Sequence, residues 1–334
     1  MIRPKPSTSC SNTFPTIGLN TSRQRLPEQE SPPRIFNVSC SGSKPAFNDK
    51  LIIGKILTWA TRKFECAEIA RPDFEAQYLL LAVLHINKAA LFLSLENRMT
   101  ARQAERFSAM VERRLQGEPL QYIVGSVEFW SKNFHLTPDV LIPRHETEFV
   151  LEQAIALLKE RFPRPETLRL LDMGTGSGVI ADVLAGELGC HVLACDISPH
   201  ALAVAAKNIA EHYLENRVTL ICSDLFAAIS TTRKFDCIIA NPPYVAENEK
   251  GELAAEVVQF EPGQALFAGC DGLDCYRRLI PQSYTFLNAG GWLMLEIGAC
   301  QGEDIAVMLH DAGYRNIGIR ADYSGRSRFA CGRK

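Results

Sequence analysis

The stretch Leu168-Arg169-Leu170-Leu171-Asp172-Met173-Gly174-Thr175-Gly176-Ser177-Gly178-Val179-Ile180 changes character twice. It opens as a short apolar strand over 168–173, passes through three glycines, and continues as an apolar helix over 179–188. Glycines there let the backbone turn sharply and approach a ligand closely, and the helix that follows offers free N–H groups at its N-terminus. A dinucleotide fingerprint would need Gly or Ala where Val179 stands, and a P-loop would need a Gly-Lys-Ser/Thr that is absent. Taken alone the loop is a strand-to-helix turn, with ligand binding one of two readings.

Outward from this unit the alternation continues. Strands are expected over 191–196, 218–222, 235–240 and 291–297, with helices over 199–213, 273–287 and 302–312 between or after them. Two further strand-like segments, 315–321 and 328–331, flank a Ser324-Gly325 turn. Such alternation predicts an α/β fold with a mostly parallel sheet and helices on both faces. Ligands of such sheets sit beyond the carboxyl ends of the strands, where every motif of this half falls.

Asp196 closes the second strand, twenty residues beyond Gly176, where a carboxylate can accept hydrogen bonds from ribose hydroxyls. The alternative is a helix cap ahead of Pro199. Ser223-Asp224-Leu225-Phe226 follows the third strand. Asn241-Pro242-Pro243-Tyr244 follows the fourth strand. The side-chain carbonyl of Asn241 and the backbone carbonyl of Pro242 offer two acceptors, and consecutive prolines stiffen the segment that carries them. Two acceptors aimed at one N–H₂ group suit a planar nitrogen, whose delocalised lone pair makes it a poor nucleophile unless it is held and polarised. Tyr244 is expected to pack on the flat group. No Lys or His in these loops offers an obvious general base.

The Gly174–Gly178 loop resembles motif I of class I S-adenosylmethionine methyltransferases, and Asn-Pro-Pro-Tyr is shared with DNA adenine and several RNA methyltransferases. Three earlier blocks narrow this: Glu118-Pro119-Leu120-Gln121-Tyr122-Ile123-Val124-Gly125, Glu128-Phe129-Trp130, and Val140-Leu141-Ile142-Pro143-Arg144-His145-Glu146-Thr147-Glu148. With Phe260-Glu261-Pro262, Asp271-Gly272-Leu273-Asp274, Gly290-Gly291-Trp292 and Asp322-Tyr323-Ser324-Gly325-Arg326, they resemble the peptide-chain release factor glutamine methyltransferases (HemK/PrmC family) from about residue 50 onward. The resemblance implies a Rossmann-like catalytic domain with a seven-stranded sheet, preceded by a helical domain that helps dock a release factor. It implies methyl transfer from S-adenosyl-L-methionine to the side-chain amide of the glutamine in the factor's Gly-Gly-Gln loop. By the same carry-over Gly174, Thr175, Gly176, Ser177, Gly178, Asp196, Asp224, Leu225 and Asn241 hold the cofactor, and Asn241, Pro242, Pro243 and Tyr244 hold the glutamine, with Asn241, Pro242 and Tyr244 as the catalytic set. A glutamine of a ribosomal protein, or an amino group of nucleic acid, is the alternative substrate. One departure is visible: His145 stands where the family usually has proline, and it reads as a solvent-facing substitution.

The rest of the 334 residues fits this frame. Residues 1–49 are rich in Ser, Pro, Thr and Asn and have no counterpart in the family. An unstructured extension is expected there. Its early Arg and Lys residues make an organelle transit peptide the alternative, so a cytoplasmic location is expected, with mitochondrion or plastid if that alternative holds. Residues 50–118 carry helical spacing, with Thr100 and Gln103 forming a capping box, and read as a small helical docking domain. Residues 119–145 read as a β-hairpin linker, with a strand over 121–124, and 146–334 as the catalytic domain.

Lys and Arg total 36 against 38 Asp and Glu, so nothing drives sequence-independent nucleic-acid binding. No apolar run is long enough for a membrane span, and a monomer is expected. Eleven scattered cysteines, without a C-x-x-C pair, read as free thiols packed in cores rather than as metal ligands or disulfides. Cys195, Cys222 and Cys237 in the strands are the examples, and no metal site is expected.

Overall fold

The computed structural model describes residues 51–334, so the expected extension over 1–49 lies outside the described residues. Helices α1 (Ile53–Cys66), α2 (Pro72–Leu84), α3 (Lys88–Leu93), α4 (Ala101–Leu115) and α5 (Leu120–Val124) come first. They enclose one apolar cluster in which Phe64, Leu79, Leu80 and Phe107 are fully buried. The capping box is present at α4, where Thr100 Oγ1 accepts from Gln103 N at 3.2 Å and Gln103 Oε1 accepts from Thr100 N at 2.9 Å. That exchange satisfies two donors the helix start would otherwise leave open.

The segment expected as a strand over 121–124 is instead α5. Pro119 stands at its N-cap, Leu120 and Ile123 point into the helical cluster, and the Arg113 guanidinium reaches the Tyr122 and Ile123 carbonyls at its end. Tertiary packing has overridden the branched and aromatic content that suggested a strand. The hairpin follows it, as β1 (Ser126–Phe129) and β2 (Lys132–His135). Its two-residue turn is Trp130-Ser131, both at positive φ (52° and 56°). The Glu148 carboxylate, which accepts from Trp130 N at 2.8 Å, holds this turn in a conformation that side chains other than glycine rarely adopt. Buried Asp182 then pins the hairpin, accepting from Lys132 Nζ at 2.7 Å and pairing with His212 Nδ1 at 2.7 Å.

Helix α6 (His145–Arg161) leads into β3 (Arg169–Met173), α7 (Val179–Leu188), β4 (His191–Asp196), α8 (Pro199–Glu211), β5 (Val218–Cys222) and β6 (Phe235–Ala240). After these come α9 (Ala255–Phe260), α10 (Asp274–Phe286), β7 (Leu287–Glu296), α11 (Gly302–Asp311), β8 (Arg315–Ala321) and β9 (Ser327–Arg333). The seven strands β3–β9 form one sheet in the order β5-β4-β3-β6-β7-β9-β8, with β9 antiparallel to both of its neighbours and the other pairs parallel. An apolar cluster covers each face, which is why β3, β4 and β6 are near-continuous apolar runs rather than alternating ones. Strand β7 begins at Leu287, earlier than the glycine pair suggested, and a register shift between Phe235 and Cys237 absorbs the irregularity. Cys195 and Cys237 are buried as expected. Cys222 is exposed, because it ends β5 beyond the covered part of the sheet.

The chain lays down β3, then β4 and β5 on one side, and returns to place β6 on the other side of β3. This reversal leaves a crevice beyond the carboxyl ends of β3 and β6, since the two adjoining crossovers lie on opposite faces. Asp172-Met173-Gly174 and Ala240-Asn241-Pro242 both run into that crevice. Among the described residues, no helix is long and apolar enough to cross a membrane.

Candidate active site

A cavity of about 440 Å³ fills the crevice. On one side it is lined by Gly174, Thr175, Gly176, Ser177, Asp196, Asp224 and Leu225, and on the other by Asn241, Pro242 and Pro243. Residues from the first four strand ends thus converge as their spacing predicted. Gly178 and Tyr244 do not line it.

The glycine loop is stitched to the end of β4. Gly174 N and Thr175 N both donate to the Cys195 carbonyl, at 2.8 and 2.9 Å, and Gly176 N donates to Asp196 Oδ2 at 2.8 Å. Asp196 Oδ1 accepts from Ser198 N at 2.9 Å, so the carboxylate is fixed from both sides at the cavity wall. Beneath the loop, buried Asp172 accepts from Thr175 Oγ1 at 2.6 Å and from Ala181 N at 3.1 Å, tying the loop to the first turn of α7. Burial pushes the Asp172 carboxyl up to about 7. Gly178, at φ +86°, has a structural task instead of a lining one: a Cβ there would lie 3.1 Å from Ala205 Cβ, so only glycine lets α7 and α8 approach.

Asp224 lines the cavity, yet both of its oxygens accept from Arg278 Nη2, at 2.9 and 2.8 Å. Any adenine contact there would be shared with this ion pair. Leu225 takes a positive φ of 48° while lining the same wall, the kind of strained backbone that clusters at ligand sites. Val140, Leu141 and Pro143 of the linker, and Pro262, Gln264 and Phe267 after α9, complete the lining. The two segments are clamped together by buried Glu261, which accepts from Arg144 Nη2 at 2.6 Å and from Ile142 N at 3.2 Å.

At the other wall, Asn241 Nδ2 donates to Thr147 Oγ1 at 3.2 Å. Thr147 Oγ1 donates to Glu296 Oε2 at 2.6 Å. Among the described residues nothing donates to Asn241 Oδ1 or to the Pro242 carbonyl, so both acceptors required by the sequence argument stay open. Tyr244 is not placed against the cavity as expected. Its ring packs with the apolar cluster on one sheet face, where burial pushes the hydroxyl up to about 12, and its carbonyl accepts from Gln301 Nε2 at 3.0 Å. The ring braces the loop from behind. His145 is the first residue of α6, and its side chain is 98% exposed.

Residues 55–125 match the family model described as the PrmC N-terminal domain, and residues 148–270 match that of the methyltransferase small domain. A release factor glutamine methyltransferase of Koribacter versatilis (strain Ellin345) is 40% identical over 276 residues, 82% of this chain and 96% of the relative. The chain belongs to the release factor glutamine methyltransferase family. Its relative in Moorella thermoacetica is 41% identical, covering 80% of this chain and 94% of that one. Among solved structures, the hMettl16 catalytic domain in complex with MAT2A 3'UTR hairpin 6 matches with a TM-score of 0.50 at 17% identity, over 70% of this chain and 82% of that chain. That likeness establishes a shared methyltransferase fold.

The chain is an S-adenosylmethionine-dependent methyltransferase by its family, and its glycine loop and Asn241-Pro242 line one cavity. Two of its residues escaped the sequence reading. Thr147 lay inside a quoted block without a role, and Glu296 ends an apolar strand, where a buried acid is itself a signal because unpaired buried carboxylates are rare.

Proposed function

We propose that the chain transfers a methyl group from S-adenosyl-L-methionine to the side-chain amide nitrogen of the glutamine in a release factor's Gly-Gly-Gln loop. The observation that carries this is the pair of open acceptors, Asn241 Oδ1 and the Pro242 carbonyl, in the same cavity as the glycine loop, in a chain of this family. The residues fit the cofactor. A Cβ at Gly176 would face open space, the Asp196 carboxylate is fixed beside it, and Ile197 and Leu225 supply apolar walls for an adenine.

When bound, the cofactor supplies an electrophilic sulfonium methyl. Asp196 would accept from the ribose hydroxyls, and Gly174, Thr175, Gly176 and Ser177 would shape the backbone around the amino-acid end. Asp224, already paired with Arg278, and Leu225 border the adenine. Asn241 and Pro242 accept from the two amide N–H groups, turning the nitrogen toward the methyl and favouring electron density on it. Pro243 stiffens the loop and Tyr244 braces it. The proton leaves after transfer, so no strong base is needed in contact with the nitrogen.

The division into a helical docking domain over 50–118, a linker over 119–145 and a catalytic domain over 146–334 belongs to the same reading. So do a cytoplasmic location and a monomeric state, with no nucleic acid or membrane as partner. Purified protein incubated with methyl-labelled cofactor should label a release factor and leave its Gly-Gly-Ala version unlabelled. Equal label on both, or on neither, overturns the proposal.

A further inference from the structure

The hydroxyl of Thr147 has one hydrogen and two lone pairs, so it can donate only once. It donates to Glu296 Oε2 at 2.6 Å, and its remaining capacity is therefore that of an acceptor, filled by Asn241 Nδ2 at 3.2 Å. Thr147 is 2% exposed and Glu296 is wholly buried. Direction along this chain is set at its far end. An ionised carboxylate only accepts, which forces the hydroxyl to donate to it and the amide to turn its N–H₂ toward the hydroxyl. Asn241 Oδ1 then stays free to accept, on a residue that lines the cavity.

We infer that Glu296, through Thr147, sets the orientation of the Asn241 amide and so decides whether the site presents an acceptor or a donor to its substrate. When Glu296 carries its proton on Oε2, the carboxyl donates to Thr147 Oγ1. The threonine hydrogen is then free to swing to Asn241, whose amide reverses to offer Oδ1 to Thr147 and Nδ2 to the cavity. A donor in that place meets the N–H₂ of the substrate glutamine and cannot hold it. The relay moves one proton onto or off Glu296 and rotates one hydroxyl and one amide, with no bond broken between heavy atoms.

The surroundings of Glu296 permit both states. Arg328 from β9 and Arg144 ahead of α6 favour the charged form, and Glu146 from α6 opposes it. The Tyr276 hydroxyl donates to the Glu296 backbone carbonyl at 2.7 Å and leaves the carboxylate alone, and Tyr244 is the remaining titratable neighbour. The Thr147 hydroxyl on Oε2 also favours the charged form, while among the described residues Glu296 Oε1 has no hydrogen-bond partner. Burial, the largest influence, raises its pKa to about 7.

The inference rests on the reading that Asn241 accepts from the substrate, and two readouts keep the two claims apart. The first needs no substrate: in ¹⁵N-labelled full-length protein, the Asn241 side-chain N–H₂ resonance, identified by its loss in Asn241→Asp, should shift with a midpoint near pH 7. The shift should vanish in Glu296→Gln and in Thr147→Val. The second is kcat for release-factor methylation against pH. It should fall about tenfold per pH unit below the midpoint in the parent and lose that limb in Glu296→Gln. Thr147→Val should lower kcat at pH 8 by at least tenfold with cofactor affinity within threefold of the parent, and Thr147→Ser should recover most of it together with the limb. A pH-independent Asn241 resonance, a limb that survives in Glu296→Gln, or a Thr147→Val enzyme with parental kcat overturns the relay. A titrating resonance in a protein that methylates no release factor leaves the relay standing and overturns the functional reading instead.

Discussion

The two walls of the cavity achieve rigidity by different means. The β3–β4 wall is held chiefly through backbone donors: Gly174, Thr175 and Gly176 donate their own N–H groups to the Cys195 carbonyl and the Asp196 carboxylate, some twenty positions further along at the neighbouring strand end. The β6 wall depends on side chains gathered from distant parts of the chain, Asn241 on Thr147 and Thr147 on Glu296, separated by 94 and 149 positions. A wall of backbone tolerates many side chains provided the glycines remain. A wall of side-chain hydrogen bonds fails at any one member, because Thr147 and Glu296 are buried and Asn241 depends on them for its orientation. Substitutions on the β6 side should therefore act mainly on turnover, and those on the β4 side on cofactor affinity.

The largest effect is expected at Asn241. Asn241→Ala removes an acceptor that is pre-placed for the reacting nitrogen, and losing one such group commonly lowers kcat by about 10²–10³. Steady-state kinetics with a release factor should show this in kcat, with KM for the factor changed far less. Asp196→Ala is the matching test across the cavity. A hydrogen bond to a charged acceptor contributes about 1.5–3 kcal/mol, so cofactor affinity should fall roughly 10- to 100-fold by calorimetry. At saturating cofactor its kcat should stay within a few-fold of the parent. If Asn241→Ala acts on affinity and Asp196→Ala on turnover, the division between the walls is wrong.

This division also marks what could be read in advance. The strand, loop and helix over 168–188 and the acid at 196 were legible because they fall within one strand-loop-helix-strand unit, whose neighbouring strand ends fix the turn, the close approach and the helix start. Asn241-Pro242-Pro243-Tyr244 was legible as a pair of acceptors. What orients Asn241 was not, since Thr147 sits in a helix and Glu296 in a strand whose patterns report burial only. The same limit explains α5. Gln121 to Val124 has strand-like content, but its fate is decided by the apolar cluster that Leu120 and Ile123 join and by Arg113 at its carbonyls. The Trp130-Ser131 turn likewise lacks the Asn-Gly signature, because its unusual backbone is held by Glu148 from the next helix. Tyr244 was assigned to the substrate, and only the packing of the sheet face shows it behind the loop.

Stability gives a third, smaller test of the same contrast, since the β6 wall keeps an acid buried for the sake of orientation. Folding raises the Glu296 carboxyl from 4.5 to about 7. The native state thus prefers the protonated form, and this contribution is fully present below the unfolded value and is lost as pH rises through about 7. Glu296→Gln removes the penalty of a buried charge, so at pH 8 its melting temperature should rise relative to the parent, by an amount equivalent to at most about 3 kcal/mol. At pH 4 the advantage should disappear. Melting curves at both pH values check the sign, and an advantage independent of pH would mean that Glu296 is not the titrating group.

The smallest effect is expected at the side-chain pair that borders the cavity beyond the end of β5. Asp224 and Arg278 meet at the cavity edge at 2.8–2.9 Å, but their side chains are 48% and 57% exposed. An ion pair in that setting is screened by water and contributes about 0–1 kcal/mol. Arg278→Ala should leave the melting temperature within a degree or two of the parent. Its consequence lies in the freed carboxylate, because Asp224 no longer divides its acceptor oxygens between a guanidinium and an adenine amino group. Cofactor affinity should therefore change less than about fivefold and in the direction of tighter binding, whereas Asp224→Ala should weaken it. If Arg278→Ala instead weakens binding as much as Asp196→Ala, then Arg278 itself touches the cofactor, and the cofactor side of the cavity depends on a distant side chain just as the β6 wall does.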